Sequence, residues 1–220
     1  MRHGRGMRGA PSRQTSLTMI FWRSILATVP ATQGAKDMAT RTTRGNVTRA
    51  EDGRKDVLGL VSVVLPGSWW WLTEDLNEPG AKGAVFRCYE EGNDQELAYL
   101  LVADVTSDPD EPDVTAFGEE DVERFDAFLE RETRQIMARQ GRKLLKWQSS
   151  QLSEPASGRG LTSWYIAQDQ GRPRQYIDLR IRLAGRNVVI GGCYDVHRGE
   201  DLEKAIMWAI QHAASNGRLR

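Results

Sequence analysis

Histidine and cysteine, the residues most often used for catalysis and metal binding, are scarce in this chain. Its 220 residues include three histidines and two cysteines. Two cysteines exclude a disulfide-stapled scaffold, and no C-x-x-C spacing is present for a metal or redox site. The sequence also has no G-x-S-x-G elbow, P-loop or H-E-x-x-H pair. These absences favour a non-enzymatic function that needs no cofactor.

Long hydrophobic runs are also missing. The most apolar stretch, residues 19–31, is interrupted by Arg23 and is shorter than the roughly 18 residues that a membrane-spanning helix needs. We therefore expect no integral membrane segment. The formal net charge is zero, but residues 1–50 carry nine basic groups and one acid, so the remainder is acidic. An acidic body argues against nucleic acid as the main partner, because phosphate binding needs a positive surface.

The basic residues 1–55 are predicted to form a leader outside the fold, and residues 56–216 a single domain. Arg23 makes a secretory signal peptide a poor interpretation, while a composition rich in Arg, Ser and Thr is typical of an organellar transit peptide. A start assigned too early is a third interpretation, with three internal methionines as candidates: Met7, Met19 and Met38. We favour the third, which predicts a cytoplasmic protein; export or an organelle is the alternative.

The pattern beyond residue 56 predicts an α+β fold. Alternating and β-branched segments indicate a strand over residues 57–65 and further strands within these ranges: 84–91, 95–106, 143–152, 161–169, 174–183 and 188–196. Residues 77–83 are predicted to be a loop. Helical spacing of apolar residues predicts one helix over Glu119–Gln140 and another over Glu200–Ser215. Short links between strands favour an antiparallel sheet of about six to seven strands, with two main helices on its apolar face.

The segment YIDLRIRL shows the clearest alternation in the chain. Four apolar residues occupy one face: Ile177, Leu179, Ile181 and Leu183. Four polar or aromatic residues occupy the other: Tyr176, Asp178, Arg180 and Arg182. This pattern predicts a strand with one solvated face. That face is interpreted either as the ordinary polar side of a sheet or as an Arg- and Tyr-rich protein-binding surface.

Three consecutive tryptophans, Trp69, Trp70 and Trp71, follow a Pro-Gly turn. Successive side chains of an extended segment point to opposite faces, so these three cannot all enter one core. Either all are structural and covered by other elements, or at least one is an anchor for a partner, since tryptophan is enriched at binding hot spots. We predict partner contacts at these tryptophans and at the polar face of YIDLRIRL.

Two other groups of residues have weaker functional interpretations. His197 stands near Asp195 and Cys193, which suggests as an alternative a small enzyme or ligand-binding domain with a cleft at this place. An acidic, proline-containing loop is typical of a solvated surface, although calcium binding or docking of a basic partner is left open; its acids are Asp108, Asp110, Glu111 and Asp113. Cys88 and Cys193 are expected to be small buried residues, with a disulfide between them left open.

The order of these segments resembles the PsbP/DcrB-like fold, which type VI secretion chaperones and a small Ran-binding nuclear import factor share. The residues that carry the resemblance are VSVVLPGSWWWL, with its Pro-Gly turn before tryptophan, and the closing segment AIMWAIQHAAS. It covers about residues 57–215. The resemblance implies a protein-binding adaptor, a bacterial secretion chaperone or an immunity-type protein that docks its partner on an open sheet face. It does not indicate the partner's identity or the oligomeric state.

Overall fold

The structure is a computed structural model of the 220-residue chain. It describes these residues: 54–64, 70–78, 80–89, 96–106, 112–153, 159–169, 171–198 and 203–204. Several predictions fall outside them, namely those for residues 1–53, Trp69 and most of the acidic loop. Of the second predicted helix only Glu203 and Lys204 are described, and both are helical.

Nine strands, one long helix and two short 3₁₀ helices, Val114–Ala116 and Val196–Arg198, make up most of the described part of the chain. The strands are β1 Arg54–Val57, β2 Val61–Val64, β3 Trp70–Glu78, β4 Ala81–Tyr89, β5 Glu96–Asp104, β6 Lys143–Ser153, β7 Gly160–Asp169, β8 Arg172–Leu183 and β9 Arg186–Asp195; the helix is α1 Glu119–Arg139. Seven of the strands form one antiparallel sheet in the order β3-β4-β5-β9-β8-β7-β6, and β1 and β2 form a separate hairpin. The predicted α+β class and antiparallel sheet are confirmed, and the first predicted helix ends one residue early.

The strand predicted over residues 57–65 is wrong, because the chain turns back within it. Leu58 and Gly59 have positive φ angles of 56° and 66°, and the N–H of Leu60 donates to the carbonyl of Val57 at 3.0 Å. Two consecutive left-handed residues match the twist of a tight hairpin, whose usual sequence is Asn-Gly. Leucine at the first of these positions gives no such signal, so the pattern read as one continuous strand.

The loop predicted over residues 77–83 is also wrong. β3 runs to Glu78, β4 begins at Ala81, and these two residues are register partners. Gly80, with φ of 85°, takes the left-handed position that closes the turn. Acidic and amide residues are depleted in strands, which is why the end of β3 looked like a loop.

The sheet has apolar cores on both faces. On the helix face, defined as the side that α1 covers, Ile136 and Met137 of α1 pack against the sheet; the buried strand residues are Ala81, Val85, Tyr99, Leu101, Ala103, Leu144, Tyr165, Ala167, Tyr176, Val189 and Cys193. The opposite side is the hairpin face, where Val57, Val61 and Val63 of the hairpin pack against Phe86, Leu100, Val102, Ile177, Leu179, Ile181 and Ile190, among others.

The prediction of a solvated polar face on β8 is wrong. Tyr176, Asp178 and Arg180 are 2%, 6% and 2% exposed, because α1 lies over this side of the sheet. The guanidinium carbon of Arg180 is 5.7 Å from the ring centre of Phe125 on α1, a cation–π contact. The helix therefore covers the face that the sequence assigns to solvent, and the apolar residues of β8 are buried on the other face too.

Asp126 of α1 fastens the helix to strand β6. One of its carboxylate oxygens accepts from the indole N–H of Trp147 at 3.0 Å and from the backbone N–H of Ser150 at 2.6 Å. The register of β6 with β7 shifts between Gln148 and Gln151, so the Ser150 N–H is near an irregularity where the ladder is interrupted. The carboxylate thus accepts a hydrogen bond from the Ser150 N–H, which the pairing of β6 with β7 leaves without a strand partner.

We expect Asp126→Ala to lower the free energy of unfolding by about 2–4 kcal/mol, because two partly buried donors lose a charged acceptor. Urea denaturation followed by tryptophan fluorescence measures the change. Glu123→Ala is the matched control: it removes an exposed acid from the same helix, and we expect a change within about 0.5 kcal/mol. Equal effects of the two variants would contradict the role given to Asp126.

Candidate protein-binding surface

A buried network of ion pairs joins strands β4, β5 and β8. Glu96 accepts from Nη1 of Arg87 at 2.6 Å and from Nη1 and Nη2 of Arg174 at 3.2 Å. Arg87 also pairs with Glu74 at 3.1 Å, and Arg174 lies 3.9 Å from Asp169. Burial by itself lowers the pKa of both arginines, but acidic neighbours outweigh it and raise the pKa: Glu96 and then Glu74 for Arg87, and Cys193 and then Glu96 for Arg174. These charged side chains therefore pair with one another inside the fold.

Cys88 and Cys193 are free, buried thiols on opposite sides of the sheet. They do not form a disulfide, because their side chains lie on opposite faces of the sheet. Burial raises the pKa of each to about 12, with Glu96 contributing to both and Arg174 opposing the rise at Cys193. At neutral pH both are thiols, and a thiol is a poor nucleophile and metal ligand.

A row of aromatic rings crosses the helix face. Register pairs run from Trp147 to Tyr165, from Tyr165 to Tyr176, and from Tyr176 to Cys193, which is also paired with Tyr99. The rings of Trp147 and Tyr165 stack at 5.5 Å, and those of Tyr165 and Tyr176 at 4.7 Å. Burial is the largest cause that raises the pKa of all three tyrosines. These rings form part of the core beneath α1, and their hydroxyl groups stay neutral.

The alternative cleft at Cys193, Asp195 and His197 is not assembled. Cys193 is fully buried, Asp195 is buried, and the side chain of His197 is exposed. Asp195 accepts from the backbone N–H of His197 at 2.9 Å and lies 3.7 Å from Arg172. The carboxylate therefore shapes the turn after β9 and does not orient the imidazole.

Arg182 is the one predicted contact residue of β8 with an exposed side chain. It forms an ion pair with Asp113, which also accepts from the backbone N–H of Thr115 at 3.1 Å. Hydrogen bonds from Thr115, together with Arg182, hold the pKa of Asp113 below its usual value. Asp113 thus caps the 3₁₀ helix Val114–Ala116 and forms an ion pair with Arg182. The other acids of its loop, Asp108, Asp110 and Glu111, lie outside the described residues, so calcium binding or docking of a basic partner there stays open.

Strand β3 forms one edge of the seven-stranded sheet and begins with two of the three tryptophans. Trp70 and Trp71 pair in register with Tyr89 and Cys88. The pairing continues without a shift over all nine residues to Glu78. Asp75 and Asn77 are exposed, and the side chain of Glu74 is 41% exposed. Among the described residues no strand pairs with the outer side of β3, so its backbone groups there lack a ladder partner.

Strand β6, at the other edge, has different properties. Its register with β7 shifts twice, between Leu144 and Lys146 and between Gln148 and Gln151. Lys143 and Lys146 are exposed along it, and Asp126 occupies the backbone N–H of Ser150. Bulges and edge lysines are the devices by which proteins prevent a further strand from pairing. Within the described residues, the β6 edge is therefore protected by bulges and lysines, whereas the β3 edge is regular and carries acids but no lysine.

Sequence reasoning found the tryptophans at the start of β3 but missed the polar residues that follow them. Glu74, Asp75 and Asn77 were not singled out because acidic and amide residues are rare in strands. The available signal was alternation: Leu72 and Leu76 are separated by Glu74, and Thr73, Asp75 and Asn77 are polar. That pattern is typical of an edge strand with one polar side.

In the described part of the chain, no helix is both long enough and apolar enough to cross a membrane. The same part also contains no group of three or more His, Cys, Asp or Glu residues placed to hold a metal ion.

Comparison with known proteins gives a likeness of fold. No protein-family model matches the chain, and no curated protein matches it in sequence. One of eight matching solved chains is the solution structure of cyanobacterial PsbP (CyanoP) from Synechocystis sp. PCC 6803; it shares 15% identity over 74% of this chain and 86% of that chain, with a TM-score of 0.46. At this identity and TM-score the likeness carries no functional argument. The relation to type VI secretion chaperones and to a Ran-binding import factor stays a prediction.

Proposed function

We propose that this chain is a non-enzymatic, protein-binding domain of the accessory or adaptor type. Its docking surface is the outer side of β3, including Trp70 and Trp71. The observation that carries the proposal is the contrast between the two edges of the sheet: β6 is protected against pairing, and β3 is regular over nine residues with no lysine within it. Secretion chaperone and immunity protein are the specific forms of this role that the sequence resemblance implies.

The placement of the reactive side chains supports a non-catalytic role. The two thiols are buried and protonated at neutral pH, and the tyrosine hydroxyls of the helix face are held neutral in the same way. The charges of Arg87 and Arg174 are paired within the fold, with Glu96 shared between them and Glu74 and Asp169 as further acidic partners. We therefore place the partner contacts at the surface and not over the helix face, where Tyr176, Asp178 and Arg180 are buried.

The proposal is tested by comparing the chain in its native host with the purified chain. We expect the native chain to elute from size exclusion with one stoichiometric partner, at a mass above that of the purified protein. A lysine-specific cross-linker then reports the contact: Lys82 is exposed and is the register partner of Asn77 on β3, whereas Lys143 and Lys146 mark the β6 edge. We expect the partner to cross-link to Lys82 in preference to the β6 lysines.

Two outcomes would contradict the proposal at different levels. Elution of the native chain at the mass of the purified protein, at low salt as well as at high salt, would overturn the protein-binding role. A stoichiometric partner that cross-links only to Lys143 or Lys146 would retain the role but overturn β3 as the docking surface.

A further inference from the structure

The charges along β3 indicate what kind of segment fits its open edge. Residues 70–78 contain three acids, Glu74, Asp75 and Glu78, and no basic residue. Glu74 forms an ion pair with Arg87, while Asp75 is exposed. On β6 the exposed charges, Lys143 and Lys146, have the opposite sign. An acidic, unprotected edge at one side of the sheet thus faces away from a basic, protected edge at the other.

We propose that β3 accepts an extended, positively charged segment of a partner protein as an eighth strand of the sheet. This inference rests on the proposed function and specifies the chemistry of the partner. Strand addition provides affinity through main-chain hydrogen bonds, and side chains at alternate positions provide selectivity. Basic side chains on one face of the added strand lie next to Asp75, and those on the other face lie next to Glu74, because directly opposed or diagonal residues on the same face of neighbouring strands are close enough for opposite charges to attract.

The regular register of β3 is what makes strand addition feasible. All nine residues pair with β4 without a bulge, so alternate residues present their N–H and C=O groups outward in one plane. A nine-residue strand is long enough to form several such hydrogen bonds with an added strand. On β6, two register shifts and the bond from Ser150 to Asp126 interrupt the corresponding row.

The experiment uses the full chain and three synthetic nine-residue peptides. One alternates lysine with valine, one alternates glutamate with valine, and one is the lysine peptide with an N-methyl group on every backbone amide. Calorimetry measures their binding at low salt, and amide hydrogen exchange measures protection along β3. We expect the lysine peptide to bind and to protect the outward amides of β3, and the other two peptides to bind at least about tenfold more weakly.

Asn77→Lys and Gln151→Lys form the matched pair of variants. Each replaces an exposed amide on an edge strand by lysine and changes the net charge by the same amount, the first on β3 and the second on β6. Because an edge lysine opposes strand pairing and repels a basic peptide, we expect Asn77→Lys to weaken binding about tenfold or more. We expect Gln151→Lys to change it by less than about twofold. Circular dichroism confirms that both variants fold.

Each other outcome overturns the inference. Absence of binding by the lysine peptide, equal losses in the two variants, or undiminished binding of the N-methylated peptide would exclude strand addition at β3. Outward amides of β3 already protected in dilute free protein would identify residues 1–53 of the same chain as the occupant; protection only at high concentration would identify a second copy. A native complex found together with any of these results leaves the protein-binding role intact, whereas a missing native complex removes that role whatever the peptides do.

Discussion

Raising the pH above about 9 is expected to unfold this protein steeply. Six buried acids have a pKa raised above the ordinary value: Cys88, Cys193, Tyr99, Tyr165, Tyr176 and Tyr194. Burial is the first cause in every case, and for Tyr194 the carboxylate of Glu203 adds to it. In the unfolded chain these groups ionise near the ordinary values of cysteine and tyrosine, which are about 8.5 and 10.

The sign follows from proton binding. Between the unfolded and folded pKa values the folded chain keeps its protons and the unfolded chain releases them, so stability is fully present below about pH 8.5 and is lost as the pH rises. Each group contributes about 1.4 kcal/mol per pH unit within its window, first the two cysteines and then the tyrosines. Because domains are stable by only about 5–15 kcal/mol, we expect cooperative unfolding between about pH 10 and 11.5.

Urea denaturation at a series of pH values from 7 to 11 measures this loss. Tyr99→Phe is the informative variant, because the hydroxyl of Tyr99 is buried and has no hydrogen-bond partner among the described residues. Removing it costs little at neutral pH and takes one titrating group out of the set, so the slope above pH 10 falls by about 1.4 kcal/mol per pH unit. A free energy of unfolding that stays constant from pH 8 to 11 would contradict the burial of these groups.

Replacing Glu96 by Gln is expected to destabilise the fold by about 3–5 kcal/mol. Glu96 forms ion pairs with two arginines at once. The side chains of Glu96, Arg87 and Arg174 are 11%, 7% and 13% exposed, so the pairs are poorly solvated. The amide of Gln keeps the size of the side chain but removes the charge, which leaves two guanidinium groups in a poorly solvated place with weaker counter-charges, Glu74 and Asp169.

The pair Glu130–Arg134 supplies a control with the same geometry. Its N–O distance is 2.6 Å, as is that of Arg87–Glu96, but its side chains are 36% and 58% exposed. Solvent screening reduces such a pair to less than about 0.5 kcal/mol, so Glu130→Gln should have almost no effect. Thermal or urea unfolding of both variants decides the matter: similar small losses for Glu96→Gln and Glu130→Gln would show that burial does not strengthen the network.

Local patterning predicted much of the fold. The helix Glu119–Arg139 has acids in its first turn and Gly141 after its end, and strands β6 to β9 alternate or are flanked by glycine turns. These signals act within a few residues, so the sequence displays them directly. The hairpin at Leu58 was missed because leucine does not usually mark a tight turn, and the loop over residues 77–83 was predicted too long because the polar residues beside Gly80 are rare in strands.

The sequence pointed to only part of the surface that we propose for binding. The tryptophans were identified as candidates, and β3 begins with Trp70 and Trp71. The placement of Tyr176, Asp178 and Arg180 on a solvated face was wrong, since alternation shows which residues share a face but not what covers that face. α1 provides the ring of Phe125 over Arg180, and this contact joins residues 55 positions apart in the chain.

By itself, the sequence determined the class of the protein: an α+β domain with an antiparallel sheet, a long charged helix, an acidic body and few residues suited to catalysis. Periodicity and composition are properties of neighbouring residues, so no folding step is needed to see them. Only the tertiary structure decided which face α1 covers, that Glu96 joins Arg87 to Arg174, and that β3 and β6 are the two edges. Those features depend on contacts between distant segments, whose free energy comes from burial and charge pairing after the chain has folded.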